Sequence, residues 1–410
     1  MPTYRQLFFN LLSNPWLFSM RWLKELFKNH FATWLLLPYL LTAMFADGLA
    51  NDKPIFCVSN EGVYWLAFTD TWRTFFSNAS HLSESVDWKH KQYDLVIWPI
   101  IPFSPKETHL MESALLSPFS ATAKEQGHWL GTDALGRDVL SGIIHGSRWS
   151  LSVAILGMVG ATSVGLMFGL FAGWWRDKGL KMKRLQFYAL IFSIFWLAIQ
   201  VYLAQGSYTI PFWVMGLGML GLLYLLSSIM LPILSIWFRN PVTLPLNASL
   251  DYLLVMISSF PIILLILTLS QSLEPGLSLL ILSISLLGWP LVALLTRSET
   301  ERMRQTEFIL AGQASGLPVY RLLLIHILPN LWPRIQVVFS LGVAQAVMLE
   351  SALSYLGLGV PLDQVSWGSQ IASAQSQPGA WWLVVFPGIA LLLFVAVVMK
   401  LSRPSLTTLA

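Results

Sequence analysis

Between two apolar runs, 277–296 and 335–355, the chain reads EFILAGQASGLPVYRLLLIHILPN from Glu307 to Asn330. Residues 307–315 suit a short helix. Gly316 fits the left-handed residue that ends such a helix, and Pro318 suits the first turn of the next one. Ala311, Gly312, Ala314 and Ser315 leave the first helix with an almost bare surface. A small, rigid helix held between two long apolar runs suits insertion into a groove on a partner. A plain amphipathic connector fits the same residues equally well.

The setting is a membrane. Hydrophobic residues make up 55% of the 410, charged residues only 11%, and mean hydropathy is +0.62. A soluble domain carries about 25% charged residues. Runs near the length needed to cross a hydrocarbon core of about 30 Å fall at 31–46, 149–175, 185–204, 211–237, 252–270, 277–296, 335–355 and 381–399. The expected organisation is an all-α polytopic protein of about eight spans.

The basic residues orient those spans. Arg5, Arg21, Lys24 and Lys28 precede the first run, and Arg176, Lys178, Lys181, Lys183 and Arg184 crowd the link 176–184. Arg239 follows the fourth run. Arg297, Arg302, Arg304, Arg321 and Arg334 lie in 297–334, and Lys400 and Arg403 close the chain. The alternate connections 205–210, 271–276 and 356–380 hold no Lys or Arg. This is the positive-inside pattern with both termini cytoplasmic. The pI near 9.1 therefore reports orientation rather than nucleic-acid binding. Residues 1–30 read as a cytoplasmic segment that can lie along the inner surface, and 31–46 as an uncleaved first span. Cys57 is the only cysteine, which excludes an internal disulfide and a thiolate metal site.

Residues 47–147 form the long polar stretch, with too little apolar content for a large independent core. Orientation places them outside the membrane as a small cap. They end on GTDALGRD, 131–138, which nearly matches the phosphate loop G-x-x-x-x-G-K-[ST]. The match fails where it matters: Arg137 replaces the Lys, and Asp138 replaces the hydroxyl that would hold Mg²⁺. Asp133, Arg137 and Asp138 read instead as a local ion-pair set. GLGMLG at 216–221 matches G-x-G-x-x-G, yet it sits in an apolar run with no preceding strand, so the dinucleotide reading fails too. Gly157, Ala161, Gly165, Gly169 and Gly173 recur every four residues and make a flat stripe for close helix packing.

Three blocks carry a family resemblance. Leu310-Ala-Gly312, then Gly316, then His326-Ile-Leu-Pro329 resembles the EAA loop of ABC importer permeases. HWLGTDALGRDVLS (128–141) with GSRWSL (146–151) resembles the segment that opens the permease core in the dipeptide/oligopeptide (peptide/nickel) subfamily, in its C-type subunit. ESALSYLGLG (350–359) with SWG (366–368) resembles that subunit's region between its last two spans. The resemblance covers about 128–175 and 250–402, and the first span more loosely.

It implies a type I ABC importer permease-like helical core over 148–410, with a coupling loop at 297–334 and an additional span pair at 185–237. Glu307, Leu310, Ala311, Gly312, Ala314, Ser315, Gly316, His326, Leu328 and Pro329 are the implied coupling residues. Gly131, Thr132, Asp133, Gly136, Arg137 and Asp138 become an outer-face family motif. The implied partners are a homologous permease, two ABC ATPase subunits that hold ATP and Mg²⁺, an extracytoplasmic solute-binding protein and lipid. No cofactor, metal or catalytic residue is expected in this chain, and the expected location is a bacterial inner membrane. The substrate class implied is peptides, with nickel or another small solute as the variant.

Two departures from the pattern stand out. Leu310 replaces its Glu, and Gly312 replaces its second Ala, so backbone shape and small residues are left to carry docking. Glu350 is the one acidic residue well inside an apolar run, a candidate gate. Counted from Arg334 at about 1.5 Å per residue, it falls towards the outer end of its span, where water reaches it. A secondary transporter working alone on an ion gradient is the competing reading. It requires ionisable residues near the midplane and broken helices around a site.

Overall fold

The computed structural model describes residues 30–59, 62–65, 88–89, 93–108, 113–175, 181–183, 241–243, 246–259, 261, 264, 266, 276–359 and 364–402. The expected spans 185–204 and 211–237, the glycine pattern 216–221, the segment 1–29 and most of 260–275 lie outside the described residues.

The chain is helical wherever a span is described. Helix α1 (His30–Met44) and the short α2 (Ala46–Leu49) lead into three strands, β1 (Phe56–Ser59), β2 (Gly62–Trp65) and β3 (Leu95–Ile97). The strands form an antiparallel sheet in the order β2-β1-β3, with Cys57 paired to both Tyr64 and Val96. Next come α3 (Ala121–Gln126) and the long α4 (Val139–Trp175). Strands β4 (Lys181–Lys183) and β5 (Pro241–Thr243) pair antiparallel, Lys183 opposite Pro241. The remaining elements are α5 (Leu246–Ser259), α6 (Leu277–Arg304), α7 (Glu307–Ala314), α8 (Val319–Arg321), a π-helical turn at Leu322–Ile327, α9 (Leu328–Tyr355), α10 (Trp367–Ser373) and α11 (Trp382–Leu401).

Among the described residues, four helical stretches are long and apolar enough to cross a membrane: 139–175, 277–304, 319–355 and 382–401. The run Trp34–Met44 is a shorter apolar helix. Hydropathy located α11 to within two residues. It missed four other ends, among them that of α5, which starts at Leu246 instead of 252. Helix α4 starts ten residues before the expected 149, because His145 and Arg148 find partners in the chain before the sheet. Helix α6 runs on to Arg304, and helical structure resumes at Val319. The expected loop 297–334 is therefore mostly helix, with only short breaks either side of α7.

The chain divides into two compact units. The first comprises 1–162, 274–289 and 332–410. In it α1 lies against α11, with Tyr39 edge-on to both Phe394 and Trp367 at ring distances of 5.5 and 6.3 Å. The guanidinium of Arg148 donates to both carboxylate oxygens of Asp47 at 3.3 and 3.0 Å, and to the Ala43 carbonyl at 3.0 Å. His145 Nε2 lies 2.7 Å from the Ala50 carbonyl oxygen. These contacts tie the segment after α1 to the start of α4. A smaller core joins Val139 with Ala380, Trp382 and Leu383. On α4, a Cβ added at Gly157 would lie 2.7 Å from Ile284, and Ala161 lies 2.9 Å from the Cβ position of Gly288, so α4 and α6 touch nearly backbone to backbone.

The second unit comprises 163–273 and 290–331. Here the same face of α4 meets α6 again. A Cβ on Gly169 would come within 2.7 Å of the Ala293 carbonyl, and one on Gly173 within 2.7 Å of the Arg297 carbonyl. Gly165 is buried. Small residues permit that approach, and dispersion contact holds it in a setting where lipid offers no hydrophobic drive to separate or join helices.

Candidate functional site

Helix α7 is a free-standing eight-residue helix, far below the length at which a helix is stable alone. Its ends and one buried face hold it. Glu307 in the first turn opposes the positive end of the helix dipole. At the other end Gly316, at φ 76°, donates to the Gln313 carbonyl (3.0 Å), and Leu317 donates to the Gly312 carbonyl (3.1 Å). That bond pair is the Schellman stop. Pro318 sits one residue earlier than expected, capping α8 instead of entering its first turn.

Ile309 and Gly312 form the buried face of α7. A Cβ on Gly312 would stand 2.8 Å from Leu322 Cδ2, so this glycine faces its own chain. The expectation that Gly312 adds to an outward bare surface is corrected accordingly. The outward face carries Glu307, Phe308, Leu310, Ala311, Ala314, Ser315 and Gly316, all exposed. Phe308 and Leu310 are 48% and 50% exposed, so the surface is apolar and not merely small. His326 falls in the π-helical turn rather than in a loop, and its backbone carbonyl accepts from Asn330 Nδ2 at 2.6 Å. Leu328 and Pro329 are half-buried at the start of α9.

Sequence reasoning missed the work of Arg304. It donates to the Trp174 carbonyl at 2.6 Å, and its guanidinium lies 5.6 Å from the Trp174 ring centre. It thus satisfies an orphan carbonyl at the C-terminal end of α4, where a cation also complements the helix dipole. Only a basic residue at the end of one helix and an aromatic at the end of another hinted at this.

Glu350 is fully buried on α9, which corrects the expectation that water reaches it. Ser354 Oγ donates to Oε1 at 2.7 Å, Ser150 Oγ to Oε2 at 2.8 Å, and Ser351 Oγ to Oε2 at 3.4 Å. The carboxylate therefore joins α4 to α9 through hydroxyls. Ser150 Oγ also accepts the Trp367 backbone N–H at 3.4 Å, which brings in the start of α10. The surrounding glycines leave no slack: a Cβ on Gly368 would overlap the Ser351 carbonyl, and one on Gly359 the Ser354 hydroxyl.

The stretch 131–138 closes on itself. Asp133 Oδ1 accepts the backbone N–H groups of Leu135 and Arg137, both at 2.9 Å, while Oδ2 accepts Arg137 Nε at 2.7 Å. Gly131 and Gly136 supply left-handed turns at φ 80° and 75°. Thr132 bonds Ser113 and Leu116 through its hydroxyl, and its carbonyl accepts from Trp382 Nε1 at 3.0 Å. Asp138 does not join the Asp133–Arg137 pair. It lies 2.9 Å from His128 Nδ1 and accepts the Ser141 N–H, as an N-cap of α4 does. Six of the eight backbone N–H groups of 131–138, which a phosphate would need, are already taken within the protein.

Packed membrane-length helices, a short helix on a rigid stop and a closed turn ahead of α4 make up a polytopic membrane protein. The family model for the binding-protein-dependent transport system inner membrane component matches residues 161–408, and the chain belongs to that family. It is a permease subunit of an ABC importer. Among its relatives is the dipeptide transport system permease protein DppC of Alkalihalophilus pseudofirmus, 29% identical over 269 residues, which are 65% of this chain and 66% of that protein. A putative peptide permease protein of Brucella suis is 27% identical over 313 residues, 74% of this chain and 77% of the relative. A putative peptide transport system permease protein of the same organism is 35% identical over 170 residues, 40% of this chain and 56% of the relative.

Proposed function

We propose that this chain forms one half of the membrane pore of a peptide importer, and that α7 with the following turn couples it to a cytoplasmic ATPase. Peptide names among the relatives support the substrate class. The observation that carries the coupling reading is the Schellman-stopped α7, with Phe308, Leu310 and Ala311 exposed around it and Ile309 and Gly312 anchored on its buried face. ATP and Mg²⁺ belong to two partner ATPases, and a homologous permease and a solute-binding protein complete the assembly. Closure of the ATPases displaces residues 307–329 and biases the spans between inward- and outward-open states, which requires the two states to be bound differently. Both termini lie in the cytoplasm of a bacterial inner-membrane protein, with 47–147 as the external cap, 185–237 as an added span pair and the Glu350 cluster at the outer gate.

The test is gentle detergent purification from the native membrane, with a photocrosslinker at Leu310. Recovery of a sister permease and ATPases, with the crosslink on an ATPase, is the expected result. A chain that purifies alone and transports in liposomes on an ion gradient overturns the proposal.

A further inference from the structure

Bulky aromatics stand exposed in the stretches that flank and pack against the turn 131–138. Phe119 is 64% exposed at φ 63°, an uncommon conformation for a bulky residue. Trp129 and Trp381 are 59% and 51% exposed. They belong to one place. The Cβ position of Gly131, two residues on from Trp129, lies 3.1 Å from Trp382 Nε1 and 3.2 Å from Pro118 Cδ, so side chains next in sequence to Trp381 and Phe119 both reach the start of this turn.

The height of that point follows from α11. Its 20 residues rise about 30 Å, the thickness of a hydrocarbon core. Trp381 is its N-cap and Lys400 lies in its last turn, so the two mark opposite boundaries. Trp382 bonds Thr132, which brings the Gly131 turn to the level of the Trp381 boundary. Tryptophan is favoured at that depth, where its ring meets apolar carbon and its N–H meets headgroups.

We propose that Phe119, Trp129 and Trp381 form a lipid-binding anchor, seated in the headgroup boundary at the end of α11 opposite Lys400. Its ligand is the phospholipid surface, and its role is to fix the depth of the turn that starts α4. The inference does not depend on the ATPase coupling proposed above.

The test places a nitroxide at Phe119→Cys and at Trp129→Cys in the complete complex, reconstituted in phospholipid nanodiscs. Cys57 is buried and does not compete for label. The expected result is that oxygen relaxes both labels several-fold more than a water-soluble nickel chelate, whereas a label at Lys124→Cys, exposed on α3, shows the reverse. Equal relaxation by the chelate at all three sites overturns the proposal, because the patch then faces water. Protection from both reagents also overturns it, because a protein covers the patch. A second reading keeps the native fold. Trp129→Phe in the same complex is expected to lower the fraction of tryptophan emission quenched by phospholipids brominated near the headgroup, and an unchanged fraction counts against the anchor.

Discussion

Gly316 and Gly357 form a matched pair of helix stops. Each is left-handed, at φ 76° and 78°, and neither would place an added Cβ within 4 Å of another group. Each also closes the same pair of bonds. Gly316 and Leu317 serve α7, while Gly357 donates to Ser354 (3.1 Å) and Leu358 to Leu353 (2.8 Å) at the end of α9. A substitution at either position acts through the backbone alone. Forcing valine into this region costs about 1–3 kcal/mol, or roughly 5- to 150-fold against the native turn. The cost is the same at both sites; the location differs. In proteoliposomes containing the whole complex, solute uptake and ATP hydrolysis are measured on the same vesicles. Gly316→Val is expected to insert normally and to lose most uptake per ATP hydrolysed. Gly316→Asn, whose side chain tolerates the left-handed region, is expected to retain most of it. Gly357→Val is expected to reduce the yield of folded complex while leaving uptake per ATP unchanged. The same uptake-to-hydrolysis ratio for both valine variants would refute the assignment of α7 as the coupling element.

Three further outcomes follow from the packing. Glu350→Ala removes the carboxylate acceptor of the buried Ser150 and Ser354 hydroxyls at roughly 1–3 kcal/mol each, so the unfolding temperature of the purified complex should drop clearly, and less for Glu350→Gln; equal, small shifts would mean that the hydroxyls find other acceptors. Gly368→Ala drives a Cβ into the Ser351 carbonyl and should abolish assembly, whereas Gly388→Ala, with nothing within 4 Å, should be silent in the same pull-down; two silent variants would refute the close approach. Because β4 and β5 close the base of the insertion, deleting 184–240 and joining Lys183 to Pro241 through Asn-Gly, a two-residue hairpin turn, should leave a complex that still inserts; loss of insertion would show that the added segment is needed by the core.

What could be read from the sequence is what local chemistry determines. Gly316 was legible because a left-handed stop is set by residues within one turn of it. Helix α11 was legible because lipid selects an unbroken apolar run. The start of α4 was hidden because His145 and Arg148 look like the end of a span until Asp47 and the carbonyls of Ala43 and Ala50 are brought to them. The burial of Glu350 was hidden for the same reason, since one of its hydroxyl partners, Ser150, lies 200 residues away. Asp138 went to His128 rather than to Arg137 because capping α4 fixes its direction, and spacing alone does not show which way a carboxylate turns.

The replacement of the family's acidic residue by Leu310 is cheap in this geometry. An exposed ion pair contributes about 0–1 kcal/mol. Full burial of a Leu or Phe side chain contributes about 1.5–3 kcal/mol, and Leu310 and Phe308 each have about half their surface still to bury. Burying the remaining half of each would therefore contribute about 1.5–3 kcal/mol together, more than one such pair. Hydrophobic contact is non-directional, so it cannot fix the angle at which α7 enters. The Schellman stop and the inward contact of Gly312 with Leu322 can, because both tie the helix to the chain that leads into α9. In the proposed complex affinity would then come from the exposed face of α7 and direction from its buried face, which is why a residue with no neighbours, Gly316, is expected to matter more for coupling than Leu310 itself.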